Sequence, residues 1–101
     1  QLDDARFRRL FRKSPVKRIG RDRFVRNVLV AIGNSATPAL ASQVVPLLDD
    51  ASPIVRAAAV WALGELSPAL LLTHGARAAL EPDEAVRAEW AQALHRQGLL
   101  A

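Results

Sequence analysis

The chain has no cysteine among its 101 residues. That absence excludes disulfides, thiolate nucleophiles, zinc fingers and iron–sulfur ligation by its own side chains. Strand signals are missing too: no run alternates apolar and polar residues, and no Asn-Gly pair marks a hairpin. Nor is there a long apolar run. The longest uncharged stretch, 27–48, is interrupted by Asn34, Ser35, Thr37, Pro38, Ser42, Gln43 and Pro46, so no membrane span is expected, and no secretory signal is visible. His74 and His95 are isolated, without a metal-spaced partner, and read as surface or half-buried packing. The acid pairs Asp49-Asp50 and Asp83-Glu84 have no companion base or nucleophile, so no catalytic constellation is legible.

Acids are scarce where cations are dense. Residues 1–27 hold ten of the 14 Lys and Arg and only three acids, Asp3, Asp4 and Asp22, for a net charge of +7; residues 28–101 carry −3. The overall +4 therefore describes a molecule with one basic end. A concentrated positive surface suits a polyanion, because neutralising phosphates releases condensed counterions. The candidate nucleic-acid-binding residues are Lys17, Arg18, Arg21, Arg23, Arg26 and Asn27. Lys17 and Arg18 are expected in a loop, while Arg23, Arg26 and Asn27 share the outward face of a helix. Arg21 sits near that helix's start, where a cation opposes the dipole; it reads as a ligand contact or as the partner of a carboxylate such as Asp22. Arg6, Arg8, Arg9, Arg12 and Lys13 form a second basic set.

Half the residues are apolar, enough for one small core. Helix starts are well marked: Ser14-Pro15, Thr37-Pro38, Ser52-Pro53 and Ser67-Pro68 each place a capping hydroxyl before a proline, and Asp83 follows Pro82. The periodicity predicts six helices, over about 3–12, 21–33, 38–48, 53–66, 68–80 and 83–97. Pro46 should kink or weaken the third. Gly33-Asn34 and Gly98 read as left-handed C-terminal caps, and Gly64 as a site of close helix contact. Residues 54–63, apolar nearly all round, should be the most covered, with Ile54, Val55, Val60, Trp61 and Leu63 as the most buried block and Trp90 in the core stripe of the last helix.

An internal repeat is present. AIGN at 31–34 aligns with ALGE at 62–65, and Val55-Arg56 with Val86-Arg87 at the same offset; Val25-Arg26 lies one residue out of phase. Each unit is a helix pair with Arg early in its second helix, as in a stacked hairpin array. LLDDASPIVRAAAVWALGEL resembles a HEAT repeat. The fold class expected is all-α, a HEAT-like α-solenoid in one domain, with stacked pairs at about 37–66 and 67–98 behind a basic N-terminal segment, residues 1–27. In HEAT repeats the corresponding Arg braces an acid at a turn, so Arg56 and Arg87 read as structural, with Asp49, Asp50, Asp83 or Glu84 as partners. Arg26 is a candidate for the same brace in the first unit.

A closer resemblance is carried by Phe11-Arg12, Ser14-Pro15, Lys17-Arg18, Arg21, Phe24, Arg26-Asn27-Val28 and Ile32-Gly33-Asn34, directly before the HEAT-like pair. Together these resemble the C-terminal region of bacterial epoxyqueuosine reductase. The resemblance implies an enzyme that reduces epoxyqueuosine in tRNA to queuosine using cobalamin and four-iron–four-sulfur clusters. Because the chain has no cysteine, those cofactors and the catalysis are expected in an upstream region, with no cofactor held here. The chain, which opens on Gln1, is then expected to be a fragment: a cytoplasmic, monomeric tail domain that grips the anticodon stem-loop of tRNA and does not catalyse by itself. The alternative is a HEAT-repeat scaffold for protein–protein interaction.

Overall fold

The computed structural model describes residues 18–98, and from Gly20 onward their side chains. Lys17, the cations from Arg6 to Lys13, the Ser14-Pro15 signal and the helix expected over 3–12 lie outside the described residues, as does the side chain of Arg18. Among the described residues all regular structure is helical, without a strand. Helix α1 spans Arg18–Asn34. A 3-10 turn at Pro38–Leu40, the short α2 at Ala41–Val44 and a second 3-10 turn at Val45–Asp49 follow. Then come α3 at Pro53–Leu66, α4 at Pro68–Thr73, α5 at Arg77–Leu80 and α6 at Glu84–Arg96.

Capping chemistry sets the sharpest boundaries. The Ser52 hydroxyl accepts from the Val55 N–H at 3.4 Å, the Ser67 hydroxyl from Leu70 N–H at 3.2 Å, and the Asp83 carboxylate from Val86 N–H at 3.0 Å. Pro53 and Pro68 occupy first helical positions, where no N–H is needed. Thr37 departs from the expected cap. Its hydroxyl donates to the Ser35 carbonyl at 3.2 Å, and a 3-10 turn follows instead of a full helix. The third expected helix is broken into three short pieces, with Pro46 at the start of the last; its ring removes a donor and crowds the preceding turn. The fifth is broken as well, between Thr73 and Arg77, through His74-Gly75-Ala76. Glycine lowers helix propensity by about 1 kcal/mol relative to alanine, and this break was not expected from the pattern.

The core runs as one cluster through the centre of the pairs: Val25 and Leu29 of α1, Val44 and Leu48 of the broken segment, Val55, Ala59, Val60, Leu63 and Leu66 of α3, Leu71, and Val86, Trp90 and Ala93 of α6. Helix α3 is its centre, as its all-round apolarity requires. Two members of the expected most-buried block differ. Ile54 is 53% exposed, and Trp61 is only half-buried. For Trp61 the reason lies in Gly33. It is a buried position inside α1, not a left-handed cap, and a methyl group built on it would overlap the Trp61 ring. The indole lies across the glycine at the edge of the cluster instead of entering it. The left-handed conformation after α1 is taken by Ala36, with φ 53°, while Gly98 adopts φ 70° after α6 as expected. A methyl group built on Gly64 would lie in ordinary contact with Leu71 and Ala93, at 3.5 and 3.7 Å, so the tight approach lies at Gly33.

Gly33→Ala should therefore destabilise the protein by about 1–3 kcal/mol, although alanine favours a helix by about 1 kcal/mol over glycine. Pairing it with Trp61→Leu should recover part of that loss. Urea midpoints of the three variants check this, and a neutral Gly33→Ala would show that the ring does not seal the α1–α3 contact.

Candidate nucleic-acid interface

The candidate site is built on α1. Val25, Leu29 and Gly33, at spacings of four, face the core. Arg23, Asn27 and Asn34 lie on the opposite side, and Arg26 on one flank; all four are exposed. Helix α1 and helix α3 run parallel: Arg21 meets Asp50, just before α3, at one end, and Gly33 meets Trp61 at the other.

The arginines divide by partner. Arg21 grips both oxygens of Asp50, at 2.8 and 2.6 Å, and also donates to Asp22 at 3.0 Å. Arg56 grips both oxygens of Glu81, at 3.0 and 2.9 Å, and donates to the Asp50 and Ala51 carbonyls at 2.8 and 3.1 Å. Arg77 pairs with Asp49, at 3.1 Å to each oxygen, and its guanidinium also meets Nδ1 of His74. Arg96 reaches Glu89 at 3.3 Å. Arg87 donates to the Glu81 and Pro82 carbonyls at 2.8 and 3.0 Å. Arg23 and Arg26 have no carboxylate partner among the described residues, and Arg26 touches only Oδ1 of Asn27, at 3.3 Å.

The repeat explains this division. Asp50 and Glu81 are 31 residues apart and do the same work: each carboxylate accepts from the N–H two residues on, Ser52 or Asp83, at 2.9 Å, and each is gripped by an arginine of the preceding unit. Arg56 and Arg87 brace the carbonyls of their own turns in the same way. In the first unit the described part of α1 reaches back to Arg18, seven residues before Val25, whereas α3 starts only two residues before Val55. Arg21 lies in that extra length and takes the cross-unit grip on Asp50. Arg26, which stands where Arg56 stands, is released from it. So the two alternatives held open by the sequence resolve in opposite senses: Arg21 braces a turn, and Arg26 is exposed. The partner of Arg56 is Glu81, outside the expected set of Asp49, Asp50, Asp83 and Glu84. The 31-residue offset from Asp50 was the signal that could have identified it.

These grips shift the groups involved. Burial would push the Asp50 carboxyl up, but hydrogen bonds from Arg21 and the Ser52 N–H, with the positive charge of Arg21 and Arg56, hold it below the usual carboxylate range. Burial opposes Glu81 in the same way, and Arg56 and the Asp83 N–H outweigh it. The hydrogen bond to Asp50 raises Arg21 despite burial, so it is a permanent cation. A carboxyl held low in the folded state stabilises the fold above its unfolded value, and that contribution is lost as pH falls through the lower folded value. Stability should thus be flat from near neutrality down to about pH 5 as far as these two groups are concerned, then fall below about pH 4. Asp50→Asn and Glu81→Gln should each lower stability at pH 7 and flatten the acid limb. Thermal melts across pH test this; an unchanged acid limb in both variants would mean the grips do not control it.

Among the described residues no group of three His, Asp or Glu side chains is placed to hold a metal ion, and no helix is long and apolar enough to cross a membrane.

Residues 40–70 match the HEAT repeat family. Over 71 residues the chain is 35% identical to the epoxyqueuosine reductase of Alicycliphilus denitrificans, covering 62% of this chain and 20% of that protein. The chain thus spans about a fifth of the length of this curated relative. No solved structure matches it. The resemblance read from the motif between Phe11 and Asn34, and the HEAT character of the following pair, are both borne out.

Proposed function

We propose that this chain is the RNA-gripping helical region of an epoxyqueuosine reductase, holding the anticodon stem-loop of tRNA while another region of the enzyme reduces the epoxide of the modified wobble nucleoside. The observation that carries the reading is the division among the arginines. Arg56, Arg77 and Arg96 each spend their charge on a carboxylate and Arg87 donates to two backbone carbonyls, whereas Arg23 and Arg26, beside Asn27, present guanidinium groups to solvent with neither kind of partner among the described residues. Such groups match phosphate geometry with forked donors. Lys17, just before α1 in sequence, and Arg18, its first residue, extend the set. The contacts would be mainly to the RNA backbone, fixing register and orientation.

Arg21 is not counted among the phosphate contacts, because both oxygens of Asp50 occupy its fork. The four cysteines that an iron–sulfur cluster needs are absent from this sequence, so in this reading the cluster is held by another region of the enzyme. A cytoplasmic setting and a monomeric chain belong to the same reading.

The test is the salt dependence of binding to an anticodon stem-loop. With Lys17, Arg18, Arg23 and Arg26 each meeting one phosphate, log K should fall with log salt at a slope of about −3. Absence of binding at low salt would remove the reading and leave a protein-binding HEAT scaffold as its replacement.

A further inference from the structure

The outer flank of the seam between α1 and α3 is covered at one end and open at the other, where Arg21 and Asp50 tie the helices together. At the covered end the Trp61 ring lies over Gly33. Two helical turns back along each helix stand Arg26 and Ile54, and between them lie Val30 and Ala57; these positions recur at spacings of three and four on the facing flanks. Exposure follows that order. Gly33 is buried, Trp61, Val30 and Ala57 are half-buried, and Arg26 and Ile54 are exposed. Ile54, with 53% of its surface in water, is one of four large apolar side chains left exposed among the described residues. Leu72 and Leu80 belong to α4 and α5, away from the basic helix, and Phe24, 41% exposed on α1, falls by helical phase on the flank opposite Arg26. The equivalent of Ile54 in the next unit, 31 residues on, is Ala85, so the repeat does not require a large side chain here.

The open end therefore joins an uncovered apolar surface to a guanidinium that the Arg21–Asp50 grip has released. A paired RNA stem offers its outer surface as phosphate and ribose. An unpaired nucleotide also offers a base face, which an apolar or aromatic platform covers while a cation holds the adjoining phosphate. We infer that the open end of the α1–α3 seam seats one unpaired nucleotide of the bound RNA, its base against Ile54 and its phosphate on Arg26. The inference rests on the RNA-binding reading above and changes it from a grip on backbone charge to one that distinguishes a loop from a duplex.

The experiment compares the 101-residue chain with Ile54→Ala and Arg26→Gln, each titrated with an anticodon stem-loop RNA and with a blunt duplex of the same number of base pairs. Ile54→Ala should weaken stem-loop binding by roughly 3- to 10-fold, the loss expected when part of an isoleucine surface is no longer covered. It should leave duplex affinity and both salt slopes unchanged. Arg26→Gln should reduce the salt slope on the stem-loop by about 0.7–0.9. Because Ile54 is half exposed and alanine is the best helix former, the variant should fold, and thermal melts verify it. Equal stem-loop affinity for wild type and Ile54→Ala, or an equal loss on both RNAs, overturns the inference while the RNA-binding reading stands. A wild-type chain that binds neither RNA removes both.

Discussion

Arg56→Ala should be the most destabilising single substitution outside the apolar core, lowering the unfolding free energy by about 3 kcal/mol. Three losses combine. The Glu81 carboxylate, whose side chain is 7% exposed, loses both guanidinium bonds and is left charged in a mostly dry place. The Asp50 and Ala51 carbonyls lose a charged donor at the turn that starts α3. The aliphatic stem of the arginine leaves the contact between the two units. Against a total stability of about 5–15 kcal/mol, that is a large share. Arg77→Ala supplies the comparison. It breaks an equally bidentate pair, but Asp49 is 66% exposed, so solvent screening should hold the loss to about 1 kcal/mol or less. Arg56→Ala combined with Glu81→Ala should cost less than the two single losses added together, because no unpaired carboxylate remains. Urea denaturation of the four variants decides this. If Arg56→Ala and Arg77→Ala cost the same, burial does not govern the strength of these clamps.

The elements that could be read from the sequence are those fixed by local chemistry. Ser52-Pro53 and Asp83 marked the starts of α3 and α6 because capping is settled by a few neighbouring atoms. The core stripe of the last helix, with Trp90, identified a buried face because helical phase is a property of the chain itself. The break near Pro46 was legible from its ring, but the one at Gly75 was not, since whether a weak helix survives depends on what packs against it. The placement of Trp61 depended on Gly33, a residue of another helix, and an all-round apolar pattern does not say which position will lie at an edge. The site was legible as a region, not as individual roles. Charge counting identified the basic helix, but whether Arg21 or Arg26 was engaged depended on how far back α1 reaches relative to the turn at Asp50. That is a three-dimensional register, and the one-residue phase slip of Val25-Arg26 in the repeat was its only trace in the sequence.

Reversing the exposed cations should have the largest effect on function. Arg23→Glu with Arg26→Glu changes the charge of one helix face by four units without touching a carboxylate partner among the described residues. Two favourable phosphate contacts become two repulsions, so affinity for the stem-loop should fall by at least about 100-fold at low salt. Stability should hardly move, as expected for exposed side chains with no buried partner. Arg21 is excluded from the set because losing its grip on Asp50 would disturb the α1–α3 contact and confuse unfolding with lost binding. Arg96→Glu is the matched control: it reverses an exposed charge on α6, where the existing partner is a single contact to Glu89 at 3.3 Å. Its stem-loop affinity should remain within about threefold of wild type, since a remote surface charge acts only through a screened field.

The most direct measurement is stem-loop affinity of the wild-type chain, the Arg23→Glu/Arg26→Glu variant and Arg96→Glu at two salt concentrations, with circular dichroism recorded on each protein. The predicted result is tight, salt-sensitive binding for wild type and Arg96→Glu, and loss of binding for the double reversal while its helicity is kept. Equal affinity and equal salt response in all three folded proteins would contradict the account, and would reduce the basic face of α1 to a solvated surface.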